Sequence, residues 1–226
     1  MNWEEIFVAL PKLLDGAVLT LELVFISCII GFVIAIPVAL MRASQNWWVS
    51  NIPILYTFFF RGTPLLVQLF LFYYGAAQFD AVRESIFWPV FKEAYWCALI
   101  VFALNTGAYT AEIFRGAIQA VPHGEVEAGI AIGMQKHTLY RRIVLPRAIR
   151  MALPAYGNEI ILMLKSSALA YTITLFDLTG VTRTIIARNY LAIEMYFTAG
   201  VIYLLMTFIF IQVWMRVEKR LLKFQN

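Results

Sequence analysis

Five apolar stretches, at roughly 17–41, 52–78, 95–114, 152–174 and 196–216, alternate with shorter polar runs along the chain. Each is long enough to cross a hydrocarbon core, which takes about 20 residues of helix. Lipid offers no partner to an open amide, so helices are the expected conformation of such stretches. The pattern predicts an all-α membrane protein of about five transmembrane helices, and an odd number places the two termini on opposite sides. The second stretch is interrupted by Arg61-Gly62-Thr63-Pro64, where a glycine and a proline together predict a broken or kinked helix. Broken backbone at membrane depth is found lining a cavity or buried in protein, so this turn is expected to face a pathway, a partner subunit or the protein's own packing. The loops at 79–94 and 175–195 leave little room for an extracellular module. With no low-complexity run and no clear internal repeat, residues 1–226 read as a single transmembrane domain.

Composition strengthens this picture. Of the 226 residues 62% are hydrophobic and 14% charged, whereas a soluble domain carries about a quarter charged residues. Six Trp and eleven Tyr add rings of the kind that settle at headgroup level. The net charge of +4 is explained by orientation and calls for no nucleic-acid partner, because the basic residues gather at the ends of the spans. One set of loops holds Arg42, the six cations of 115–150, and Arg216, Lys219, Arg220 and Lys223; the other holds Lys12, Arg83, Lys92, Arg183 and Arg188. The positive-inside rule then puts the N-terminus outside and the C-terminus in the cytoplasm, with the 115–150 block also cytoplasmic. Residues 1–15 carry three acids against Lys12, unlike the basic start of a cleaved signal, so the first span is expected to stay in the mature chain. Cys28 and Cys97 lack redox or zinc spacing and read as packing residues. His123 and His137 lack a third ligand and read as surface residues.

The polar block between the third and fourth spans has internal structure. Pro122 lacks an amide donor and Gly124 tolerates strained backbone, so the helix leaving span 3 should end there and a short helix begin. Glu125 and Glu127 suit the positive end of that helix's dipole. Gly129 and Gly133, four residues apart, predict a bare helix face that a partner can approach. Pro146, with the run from Ala148 to Pro154, is expected to turn the chain back into the membrane.

Residues 127–146, Glu-Ala-Gly-Ile-Ala-Ile-Gly-Met-Gln-Lys-His-Thr-Leu-Tyr-Arg-Arg-Ile-Val-Leu-Pro, resemble the cytoplasmic coupling loop of ABC importer permeases. That pattern is Glu-Ala-Ala, three residues, Gly, nine residues, then Ile-x-Leu-Pro. Glu127, Ala128, Gly133, Ile143, Leu145 and Pro146 match it, and Gly129 replaces the second Ala. The resemblance extends over nearly the whole chain to the polar amino acid group. It is carried by Arg61-Gly62-Thr63-Pro64-Leu65-Leu66-Val67-Gln68, by Leu104-Asn105-Thr106 with Ala108-Tyr109-Thr110, and by Asn158-Glu159 with Leu164-Lys165-Ser166. Within that group the chain looks like the histidine/lysine/arginine and arginine permeases, and Ala170 to Leu175 and Pro122 to Glu125 look most like the arginine type. The resemblance implies a type I ABC importer permease fold in a bacterial inner membrane, with 121–150 as the coupling loop. It implies ABC ATPase subunits as partners, docked through Glu127, Ala128, Gly129, Gly133, Leu145 and Pro146. It further implies a sister permease subunit, in a heterodimer rather than a homodimer, and a periplasmic amino-acid-binding protein. The chain has no phosphate-binding loop of its own. No cofactor is expected in it, ATP and Mg being held by the ATPase.

Ionisable groups inside spans are costly and therefore candidates for function. Glu112 ends a polar face with Asn105 and Tyr109, and Glu159 follows Asn158 on a face with Met163 and Ser166. Counting from residue 152 at 1.5 Å per residue puts Glu159 about 10 Å into the membrane, with Glu112 nearer the cytoplasmic end of its span. Glu159, Asn158, Asn105 and Glu112 are thus the candidate substrate-binding residues. Glu159 reads either as the partner of a cation in transit or as one half of a pair with Lys165 or with backbone donors. Glu22 is expected to reach the outer interface. The expected function is import of arginine or another basic amino acid by alternating access. The rivals are another polar amino acid or an opine, a docking subunit that never touches cargo, and an intramembrane enzyme, for which no motif is present.

Overall fold

The computed structural model describes residues 2–44 and 46–222, so Lys223, counted above, lies outside the described residues. Among these residues every regular element is helical. α1 (Trp3–Arg42) is followed by α2 (Trp47–Gly62) and α3 (Leu65–Phe70). A π turn at Leu71–Gly75 and two single-turn helices, α4 (Asp80–Arg83) and α5 (Trp88–Phe91), lead into α6 (Ala94–Gln119). α7 (His123–Ala131) and α8 (Lys136–Leu139) precede a π turn at Tyr140–Val144 and α9 (Leu145–Ser166). A 3-10 segment at Ser167–Ile173, α10 (Leu178–Asn189) and α11 (Ala192–Leu222) complete the chain.

Three of these helices, α1, α6 and α11, are long and apolar enough to cross a membrane alone. Two more spans appear if each bent pair is taken as one: α2 with 65–78, bent by 104°, and 136–173 with α10, bent by 49°. The first bend falls at Gly62-Thr63-Pro64, as the sequence predicts. α2 ends because Pro64 disfavours helical backbone at Thr63, which is extended (φ −113°, ψ 145°). α1 is longer than its apolar stretch. At 1.5 Å per residue its 40 residues reach about 60 Å, twice the length one crossing of a hydrocarbon core needs.

The core is built on α1 and α6, which run side by side in the same direction. Glu22 meets Tyr95 near one end (2.6 Å), and Arg42 meets Glu112 toward the other (2.8 Å). Between these contacts Gly31 and Gly107 bring the backbones together. A Cβ on Gly31 would lie 3.0 Å from the Ala103 carbonyl oxygen, and one on Gly107 3.2 Å from the Gly31 carbonyl oxygen. Small residues at such a crossing replace the hydrophobic drive that lipid cannot supply with close van der Waals contact. α10 packs on the N-terminal half of α1, where Thr20 Oγ1 accepts from the Leu178 amide (3.1 Å). Asp177 caps α10 through the amides of Thr179 and Gly180. Cys28 and Cys97 are buried and unpaired.

One expectation is corrected here. Pro146 does not turn the chain back into the membrane; it sits within a helical run that continues from Lys136 to Ile173. Proline removes one amide donor and crowds the preceding turn, and the wider π turn at Tyr140–Val144 absorbs both effects. The reversal of direction occurs earlier, at Pro122 and at Gly133.

Candidate substrate pocket and coupling segment

The break in α2 leaves carbonyls that a continuous helix would have satisfied. Gln68 and Asn105 fill that need. Gln68 Nε2 donates to the Phe60 carbonyl (2.9 Å) and to Thr63 O (3.0 Å), while Asn105 Nδ2 donates to Phe60 O and to Gln68 Oε1 (3.1 Å each). Both side chains are buried, so the bent segment is fastened to α6 by a closed amide network. Asn105, expected to bind substrate, therefore spends its amide protons on the scaffold. Gln68 was legible as a polar residue within an apolar run, although sequence gave no sign of its partner.

Beside this network a cavity of about 420 Å³ opens between the bend, α6 and α9. Arg61, Thr63, Asn105, Tyr109, Glu159 and Ser166 supply its polar lining. Glu159 is only 6% exposed, and among the described residues no cation lies within ion-pair distance of it. The alternative pairing with Lys165 is not formed. Six residues along a helix is about 600° of rotation, which leaves Lys165 on another face, exposed. Asn158 is exposed and does not line the cavity.

Glu112 occupies a different environment from Glu159. Its carboxylate accepts from Arg42 Nε (2.8 Å) and Arg115 Nε (2.8 Å), and Arg61 Nη1 lies 3.6 Å away. Its side chain is 10% exposed, so this is one shielded acid among three guanidinium groups, with a local surplus of positive charge. Arg61 belongs to both places: it lines the cavity, reaches Glu112, and stacks over the Tyr109 ring at 5.4 Å. Of the four residues chosen from sequence, Glu159 and Asn105 come together in the cavity, while Glu112 is engaged elsewhere.

The block from 121 to 150 folds as a short helix laid on a longer one. Glu125 pairs with Arg147 (3.4 Å), joining α7 to α9. The expected bare glycine face is corrected by the packing. Gly129 is buried against Leu139 and Ile143 of the same chain, so its missing side chain admits the next helix rather than a partner. Gly133 lies beyond the end of α7 at φ +79°, with open space around it, and serves the turn. The outward surface is made instead by Glu127, Ala128 and Ala131, with Ile130 (60% exposed) and Ile132 (75% exposed) beside them. Leu145 is half-buried and Pro146 exposed at the start of α9. His123 and His137 are exposed, and among the described residues no group of acids, His and Cys could hold a metal.

The family model for the inner membrane component of binding-protein-dependent transport systems matches residues 31–223. The chain belongs to this permease family. It is similar to the octopine transport system permease protein OccM of Rhizobium meliloti, 48% identical over 96% of this chain and 86% of that protein. The nopaline transport system permease protein NocM of Agrobacterium fabrum is 50% identical over 92% and 87%. The histidine/lysine/arginine/ornithine transport system permease protein HisM of Escherichia coli is 44% identical over 92% and 88%. A crystal structure of an amino acid ABC transporter with histidines superposes at a TM-score of 0.88, with 34% identity, over 97% of this chain and 99% of that one. The inward-facing MetNI methionine ABC transporter shares the fold at a TM-score of 0.76 and 19% identity, over 93% and 96%. This permease accordingly has the type I ABC importer fold and is a multi-pass inner membrane protein. It is a transport subunit, works with a binding protein and ATPase subunits, and leaves ATP hydrolysis to the latter.

Proposed function

We propose that this permease carries a cationic amino acid, arginine foremost, with Glu159 as the group that receives the cation. The observation behind this reading is a buried carboxylate facing a cavity, with no cation at ion-pair distance among the described residues. Such a group is costly at membrane depth unless a partner arrives. Arg61 and the hydroxyls of Thr63, Tyr109 and Ser166 line the same cavity and suit the carboxylate end of an amino acid. Relatives named for histidine/lysine/arginine/ornithine transport agree with a cationic cargo.

A second reading, an opine, is favoured by the higher identity to relatives named for octopine and nopaline. Both readings fall within polar amino acid or opine import. Glu159→Gln in the reconstituted importer discriminates between a role for charge and none. A charge-assisted contact contributes about 1.5–3 kcal/mol, so arginine uptake should fall about tenfold or more; unchanged uptake defeats the assignment. Competition of labelled arginine by octopine or nopaline ranks the two cargoes.

We further assign the 121–150 segment as the surface that meets the ATPase, through Glu127, Ala128 and the exposed Ile130 and Ile132, on the cytoplasmic side. ATP and Mg reside on that subunit. A related sister permease, rather than a second copy of this chain, completes the translocation path. Affinity purification of a tagged chain tests this, because recovery of this chain alone as the membrane subunit would contradict it.

A further inference from the structure

A second cavity, of about 560 Å³, lies on a different side of α9 from Glu159, in the groove between α1, α9 and α11. Its walls are apolar: Phe25 and Ile29 from α1, Ile160 and Leu164 from α9, and Phe210 and Val213 from α11 are representative. The lining on α1 runs from Leu21 to Ile29, about 12 Å along the axis. The groove lies among spans, so it faces hydrocarbon rather than water.

The stripe that α11 contributes is bordered by cations. Phe210, Val213, Trp214 and Val217 follow one another at helical spacing and Leu221 continues that face, while Arg216, three residues after Val213, and Arg220, three after Val217, flank it on the Val213 side. Arg216, Lys219 and Arg220 are exposed, and among the described residues none of them lies within ion-pair distance of a carboxylate. Trp214 sits between the two regions, stacked on Phe210 and packed against Gly157 and Tyr156 of α9 with its indole nitrogen buried. An apolar slot flanked at one end by cations has the shape and charge of a phospholipid with an anionic headgroup.

We propose that the α1–α9–α11 groove is a binding site for an anionic phospholipid, one acyl chain lying in the slot and the headgroup held by Arg216 and Arg220. A neutral lipid would fill the slot without using the cations. A helix of another subunit would bury the slot but set its own apolar surface, not an anion, against the basic end.

The test uses the intact importer complex, reconstituted in nanodiscs of phosphatidylcholine with one tenth phosphatidylglycerol and released for native mass spectrometry. The wild-type complex should retain phosphatidylglycerol well above its share of the bilayer. Arg216→Gln with Arg220→Gln changes only exposed side chains, and should cut that enrichment by about fivefold per cation. Val213→Trp fills the slot and should lower retention of both lipids. In parallel, benzoylphenylalanine in place of Phe25 should crosslink to lipid. Retention of phosphatidylglycerol by the wild type at no more than its one-tenth share of the bilayer, enrichment unmoved by the double substitution, or a crosslink to another protein subunit would each overturn the proposal.

Discussion

Removing the Glu112 carboxylate would leave Arg42, Arg61 and Arg115 facing one another across the space it fills. Losing one partner of a shielded ion cluster costs about 3 kcal/mol, chiefly through the charges left uncompensated. Glu112→Ala should therefore lower the thermal midpoint of the purified complex, and high salt should recover part of the loss by screening the exposed Arg61. An unchanged midpoint in both conditions would contradict this account. The acid itself was visible in the sequence as an ionisable group within a span. Arg115, three residues on, is a neighbour on the same helix, but Arg42 was not legible as a partner, because it lies 70 residues away and only the parallel packing of α1 on α6 brings it near. The same limit applies to Asn105: its place on a polar face was readable, but the Phe60 carbonyl that claims its amide was not.

At the level of elements, the coupling segment shows what a motif match conveys and what it omits. The short helix after Pro122 was legible; the exposed Ile130 and Ile132 at its end were not. Which glycine faced which way was not, since spacing of four residues describes a helix and α7 ends at Ala131, before Gly133. The packing separates the two positions experimentally. Gly129→Ala should be tolerated, because only the flexible ends of Leu139 and Ile143 must shift and alanine favours helix by about 1 kcal/mol. Gly129→Leu should lift α7 and reduce substrate-stimulated ATP hydrolysis severalfold. Gly133→Ala meets no atom but adopts a left-handed backbone, at a cost of about 1–2 kcal/mol. Its effect should appear in thermal stability more than in coupling. If Gly129→Leu leaves ATP hydrolysis unchanged, the seating of α7 on α8 and its π turn has no part in coupling.

Over the whole molecule, counting apolar stretches gave five spans; the structure has three helices long and apolar enough to cross a membrane alone, and reaches five if each of two bent helix pairs is one span. Proline and glycine announced the bend at residue 62. The second bend, at Thr174, carried no such warning, because a threonine in left-handed backbone (φ 67°) is imposed by its surroundings and not by its own preference. Orientation rests on charge and is directly testable. In a chain lacking Cys28 and Cys97, single cysteines at Phe7 and Ile132, both exposed, should react with an impermeant thiol reagent from opposite sides of intact spheroplasts, Phe7 from outside. Labelling of Ile132 from outside would invert the topology. The Gly31–Gly107 crossing has a mechanical consequence. Two backbones pressed so closely have no room to slide, so when the cavity switches its opening from one side to the other, α1 and α6 must travel as a single beam. The flexing joints are then confined to the places where helix is interrupted, around residues 62–64 and 174–177, and stiffening either one should slow turnover while leaving the beam itself untouched.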